Sequence, residues 1–189
     1  MVCNPQNLIW LDLEMTGLKV ESHTIIELAL VITDKELNEL ERWPQGDSGQ
    51  AIYQPEPILK GSEPWVMQNL APLLARVRLS SVDLAEAEDK SLALVRRHCP
   101  EMGGNRKEGC PLAGNSIGQD RAFLRARMPK FEPYTGYRNV DVSTIKELVK
   151  RWYPDRCYPK PELGKHNAMV DVLASIEELR YYRREIFTR

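Results

Sequence analysis

The chain has no apolar run of membrane-spanning length, no repeat, no low-complexity tract and no surplus of either charge. Without some 20 consecutive apolar residues, no helix can bury its length in lipid. Its four cysteines, Cys3, Cys99, Cys110 and Cys157, form no CxxC or Cys/His ligand spacing. That argues against a zinc site and suits the reduced thiols of an intracellular protein. Twenty-six Lys and Arg against 27 Asp and Glu leave a net charge of −1, too little basic surface to track along a long nucleic acid. A short oligonucleotide held by its ends is still allowed if bound cations supply the positive charge. The opening Met1-Val2-Cys3-Asn4-Pro5-Gln6 matches neither a secretory signal nor an Arg-rich transit peptide. The expected compartment is the cytoplasm, with an organelle-targeted form of longer leader left open.

What is there suits one domain: 189 residues, 42% hydrophobic, no linker-like stretch. Leu8-Ile9-Trp10-Leu11 reads as a strand, and Thr24 to Thr33 as a central strand buried on both faces. Asp34-Lys35-Glu36-Leu37 predicts a hairpin turn into a third strand, and Pro44 to Gly49 a polar loop before Ala51-Ile52-Tyr53. One or two irregular helices interrupted by Pro64 and Pro72 are expected between Ser62 and Ser80, then a clearer helix from about Val82 to His98. A loop at Gly103 to Gly109 leads to a short strand, Cys110 to Gly114, and a helix from Ile117 to Met128. Val140-Asp141-Val142 reads as another strand. Thr144 and Glu147 frame a capping box, with Ile145, Leu148, Val149 and Trp152 as the apolar stripe behind it. Ala168, Val172, Ile176 and Leu179 mark a last helix. The order predicts an α/β domain with a mixed sheet flanked by helices.

Asp12-Leu13-Glu14 ends the first strand. Alternate strand side chains share a face, so the two carboxylates point the same way and repel unless a cation neutralises them. Hard divalent ions favour such oxygen clusters. Two more acids stand at element ends, each with a plain alternative: Asp120 as an ordinary first-turn helix Asp, Asp171 as a solvated position. His166 precedes Asp171 by five residues, which on one regular helix sets the side chains about 140° apart. Gly164 therefore places His166 in the loop entering the helix. Four acids and one histidine then suit a two-metal hydrolysis of a phosphodiester, the histidine removing a proton.

The string Leu8 to Leu18 resembles the first exonuclease motif of the oligoribonucleases, within the DEDDh group of 3′-to-5′ exonucleases. Cys110 to Asp120 resembles their second motif, and Tyr137 to Thr144 and His166-x-x-x-x-Asp171 the remainder. The resemblance runs from about Asn7 to Phe187. It implies a ribonuclease H-like fold, one exonuclease domain over residues 1–189, and a homodimer converting short single-stranded RNA, or short DNA, to 5′-mononucleotides. By position it makes Asp12, Glu14, Asp120 and Asp171 ligands of two Mg2+ or Mn2+ ions and His166 the general base. Leu18 would wedge against the bases and Trp65 stack near them. Ser116, Arg138, Ser143 and Thr144 would cap the 5′-phosphate, while Tyr137 would reach the partner subunit's site.

The residues alone allow plainer roles: Leu18 and Trp65 as core, Ser143 and Thr144 as helix caps, Tyr137 and Arg138 as a surface pair. Asp141 reads as structural. Three departures accompany the resemblance. Val66 to Leu74 replaces a family segment with paired histidines, Val170 replaces an acid, and the loop from Gln45 to Gly49 is longer. The competing functions are a non-catalytic binding paralogue and a DNA-trimming exonuclease.

Overall fold

The computed structural model describes residues 3–101, 109–159 and 166–187. Gly164 and most of the expected loop at Gly103 to Gly109 lie outside the described residues.

β1 (Leu8–Met15) pairs antiparallel with β2 (Ile25–Thr33), from Leu8 opposite Thr33 to Glu14 opposite Glu27. β3 (Glu39–Trp43) and the two-residue β4 (Gln50–Ala51) pair antiparallel with β2. On the other side β1 pairs parallel with β5 (Leu112–Gly114), which pairs parallel with β6 (Asn139–Asp141). Among the described residues this gives a six-stranded mixed sheet of order β3-β2-β1-β5-β6, with β4 beside β2. Parallel neighbours require crossovers, and helices supply them.

Every residue of β2 is buried, because helices cover both faces and leave no side for polar alternation. On one face Ile9, Leu11 and Leu13 meet α4 (Leu84–His98) and α5 (Ile117–Arg127). On the other, Trp10, Ala29 and Val31 meet α6 (Val142–Trp152) and α7 (Ala168–Glu185). Trp10 is fully buried, and its indole Nε1 donates to Thr33 Oγ1 at 2.9 Å. Asp12 and Glu14 continue the row that Trp10 begins, so the strand period delivers them to the edge of the face that α7 covers.

Several helix expectations need correction. Pro64 and Pro72 open helices rather than interrupt them: α2 (Pro64–Asn69) and α3 (Ala71–Leu79) each carry proline in the first turn, where its missing N–H has no intrahelical partner to lose. A short helix α1 (Glu56–Lys60) precedes them. Val66, Leu70, Leu73 and Leu74 pack around Ile26, so the substituted segment builds a local core. Asp83, not Val82, opens α4, accepting from Glu86 N. Val142 belongs to α6 rather than to the strand, and the cap of α6 is Asp141, accepting from Ser143 N at 2.9 Å, so Thr144 already lies inside the first turn. Only Val142 and Val149 of that helix are buried, while Leu148 and Trp152 of the expected stripe are exposed. No helix among the described residues is long and apolar enough to cross a membrane.

Candidate active site

Three acids converge at the end of β1. One carboxylate oxygen from each of Asp12, Glu14 and Asp171 lies within 4.8 Å of the other two. The first two come from the strand alternation, the third from the first turn of α7. Asp120, in the first turn of α5, is buried beside them, and its Oδ1 accepts from Leu13 N at 3.0 Å. That bond ties α5 to the strand and places Asp120 just outside the tight triad. Asp120 does occupy the first turn of its helix, as the plain alternative has it, but it is buried there rather than left to solvent.

The electrostatics follow from crowding. Burial, then Asp120, Asp171 and Glu14, push the Asp12 carboxyl well above the usual carboxylate range. Burial, then Glu27, Asp171 and Asp120, push Glu14 up to about 8. Burial raises Asp120 to about 7 against the lowering effect of backbone N–H donors, including that of Leu13. Among the described residues no lysine or arginine pairs with Asp12, Glu14 or Asp120. Half-buried and buried carboxylates crowded together without a lysine or arginine are the donor set a hard divalent cation requires, so the residues fit such an ion.

His166 stands outside α7 in the left-handed region, φ 65°. Next to it Asn167 caps the helix, its Oδ1 accepting from Met169 N at 3.1 Å and Val170 N at 3.3 Å. Leaving the helix removes the 140° separation from Asp171 expected on a regular helix. The ring turns toward the acids, with Nδ1 4.0 Å from Glu14 Oε1, and it meets the Trp65 ring in a T-shaped contact at a centroid distance of 4.8 Å.

An open cleft of about 450 Å³ is lined by Asp12, Glu14, Leu18, Trp65, Asp120 and His166. Leu18, 67% exposed, and Trp65, 49% exposed, sit on its rim and are not core. A smaller cavity of about 160 Å³ continues past Asp12 and Asp171 to Asn115, Ser143 and Lys146. Ser116 lines the first cavity, and its Oγ lies 3.2 Å from Ser143 Oγ. Asp141 Oδ1 accepts from the N–H of both serines, the structural role expected of it. Tyr137, Arg138 and Thr144 are on the surface and line neither cavity, the Arg138 guanidinium lying 4.7 Å from the Tyr137 ring centre.

Sequence reasoning passed over three residues. Glu63 Oε1 accepts from Leu18 N at 3.2 Å and Gln119 Nε2 donates to Leu18 O at 2.8 Å, so the exposed leucine is gripped by its backbone. Glu27 faces Glu14 across the β1–β2 pairing. Its signal was legible: an acid inside an apolar strand must find a partner.

The family model described as Exonuclease (RNase_T) matches residues 9–58 and 94–179. The chain is 46% identical over 189 residues to the oligoribonuclease of Vibrio cholerae, covering 99% of each. It is 46% identical over 182 residues to that of Pseudomonas aeruginosa, covering 95% of this chain and 96% of the other. Among solved structures, exonuclease I from Methylocaldum szegediense superposes with a TM-score of 0.69 at 17% identity, over 99% of this chain and 42% of that one. E. coli exonuclease I in complex with a 5cy-dA13 oligonucleotide gives 0.62 at 16% identity, over 95% and 40%. The chain thus spans about two-fifths of these larger proteins, and the shared unit is a ribonuclease H-like fold.

Proposed function

The chain belongs to the oligoribonuclease family of exonucleases, and from that premise we propose a 3′-to-5′ exoribonuclease that hydrolyses oligoribonucleotides a few residues long, dinucleotides included, to 5′-mononucleotides. Residues 1–189 act as one exonuclease domain. The observation that carries the reading is the convergence of Asp12, Glu14 and Asp171 beside His166 on the wall of an open cleft. A scaffold gains nothing from crowding like charges that raise one another's proton affinity.

Asp12, Glu14, Asp120 and Asp171 would hold two divalent cations, Mg2+ or Mn2+, which when bound activate a water and offset charge on the phosphate oxygens. His166 takes the proton of the attacking water. Its Nδ1 faces Glu14, which leaves Nε2 for that transfer. Trp65 braces the imidazole through a T-shaped contact and, half exposed on the cleft rim, offers its ring to a base. Leu18, gripped through its backbone, wedges against the terminal bases. Ser116 and Ser143, with Arg138 and Thr144, cap the 5′-phosphate and leave a longer chain no exit.

A homodimer goes with this reading. Supporting it are the exposed Leu148, Trp152 and Tyr153 at the end of α6 and the exposed Tyr137, too far out to line their own subunit's cleft. Tyr137 then serves the partner subunit's site. A cytoplasmic setting suits the four free thiols.

The test is digestion of 5′-labelled RNA and DNA, from dinucleotides to long oligomers, in Mg2+, Mn2+ or EDTA. Fast, cation-dependent loss of the shortest RNAs is expected. Binding without cleavage would make the protein a non-catalytic paralogue, and preferential cleavage of long DNA would make it a DNA-trimming enzyme.

A further inference from the structure

The half of the site borne by α7 is held by a latch that no motif contains. Glu27 is fully buried in β2. Its Oε2 accepts from the backbone N–H of Ala168, the first residue of α7, at 3.0 Å. Its Oε1 receives Arg76 Nη1 from α3 at 2.7 Å, and the same guanidinium's Nη2 donates to Gly49 O at 2.6 Å. Gly49 N in turn donates to Asn167 Oδ1 at 3.3 Å, while Asn167 Nδ2 donates to Ser48 Oγ at 3.1 Å. A side chain at Gly49 would stand 2.7 Å from Glu27 Cγ and 3.0 Å from Ala168 Cβ, so the loop after β3 lies flat against the helix entry. His166 and Asp171 flank the two residues gripped, and Glu14 lies across the sheet pairing from Glu27.

We propose that Arg76 is a positioning residue for the reaction: by clamping Glu27 and Gly49 it fixes the entry of α7, and with it the placement of His166 and Asp171 against Glu14. The inference rests on the roles proposed above for these three residues. The physical argument is directional. A fully buried carboxylate stripped of its cation is strongly disfavoured, and Glu27 could recover hydration only by giving up Ala168 N–H and letting the helix entry move. Arg76 itself is 43% exposed and lines neither of the two cavities at the acids, so it touches no reacting atom.

Arg76→Met and Arg76→Lys, with His166→Ala as a control, test this on a dinucleotide substrate. Three readouts separate placement from mere stability: kcat against KM, calorimetric titration with Mn2+, and the imidazole NMR signals. The chain has three histidines, so loss of one signal in His166→Ala assigns that ring. In Arg76→Met the expected result is a fall in kcat of about 10- to 100-fold with KM nearly constant. Mn2+ affinity should weaken by a similar factor, and the His166 signal should shift while those of His23 and His98 stay. Arg76→Lys should restore part of the rate, because an ammonium reaches Glu27 without gripping Gly49 as well. A folded Arg76→Met with parental kcat overturns the proposal, as does a slow one whose His166 signal and Mn2+ titration match the parent. If Arg76→Met does not fold, Arg76→Lys decides, and parental kcat there overturns it. An active His166→Ala instead removes the assignment on which the inference stands, whereas an inert His166→Ala beside an unaffected Arg76 series sinks the inference alone.

Discussion

Withdrawing divalent cations should destabilise this protein, and increasingly so as the pH rises. The carboxyl of Glu14 is raised from an ordinary 4.5 to about 8, chiefly by burial and then by Glu27, Asp171 and Asp120. That of Asp120 is raised from 3.8 to about 7, again chiefly by burial. Between those values the folded protein keeps protons that the unfolded chain has released. The associated stability is therefore complete below about pH 4 and lost as pH rises through 7 and then 8. For Glu14, only 14% exposed, the difference corresponds to roughly 5 kcal/mol at about 1.4 kcal/mol per tenfold change in proton affinity. A cation can take the place of those protons. At a hundred times its dissociation constant it returns about 2.7 kcal/mol. In a chain this size, where 1 kcal/mol moves Tm by about 2–4 °C, that is a rise of roughly 5–10 °C. Calorimetric melts in EDTA and in Mg2+, at about pH 6 and pH 8.5, give the comparison. The EDTA Tm should fall toward the higher pH, and the Mg2+ increment should grow there, because protons no longer compete for the oxygens. A flat EDTA profile, or equal increments at both pH values, would refute the crowded-carboxylate account.

Three further outcomes are expected. Asp12→Asn keeps the side-chain shape but removes a charge, so it should abolish cation-dependent turnover while raising the EDTA Tm by a few degrees, as is common when a strained functional group is neutralised; retained turnover would displace Asp12 from the cation site. Asp141→Ala leaves the N–H groups of Ser116 and Ser143 without their acceptor, so denaturant melts should show a loss of about 1–2 kcal/mol, and KM should rise more for 5′-phosphorylated than for 5′-hydroxyl substrates. Tyr137→Ala should impair turnover in a protein that sediments as a folded dimer, and a monomeric parent of full activity would end the cross-subunit role.

Much of this was readable along the chain wherever one period dominates. The buried run of β2, the alternation of β1 and the stripe of α7 each repeat one geometry for several turns or pleats, and each formed as expected. The awkward five-residue step from His166 to Asp171 correctly put the histidine outside the helix. What misled was chemistry that a window reads two ways. Proline in a run can end a helix or begin one, and Pro64 and Pro72 begin theirs. Thr144 satisfied a capping pattern, yet Asp141 one turn earlier already served that N-terminus. Leu148 and Trp152 mark the apolar side of α6 but not what covers it, and Trp152 is 64% exposed. The role of Arg76 was invisible in principle, since its partner Glu27 lies 49 residues away and the link exists only once the sheet has formed.

The site is built in two halves held in different ways, and this decides how substitutions should read out. Asp12, Glu14 and Asp120 belong to the sheet: two sit on a strand paired on both edges, and the third is tied to Leu13 N–H. Neutralising any of them should change charge while leaving the neighbours in place, so catalysis and stability should move in opposite directions. Asp171 and His166 hang from the entry of α7, whose position depends on Asn167, Glu27, Arg76 and Gly49. Loosening that entry displaces both groups at once, and catalysis and stability should then fall together. The sign of the Tm change in a slowed variant therefore tells which half was touched, without a structure of the variant.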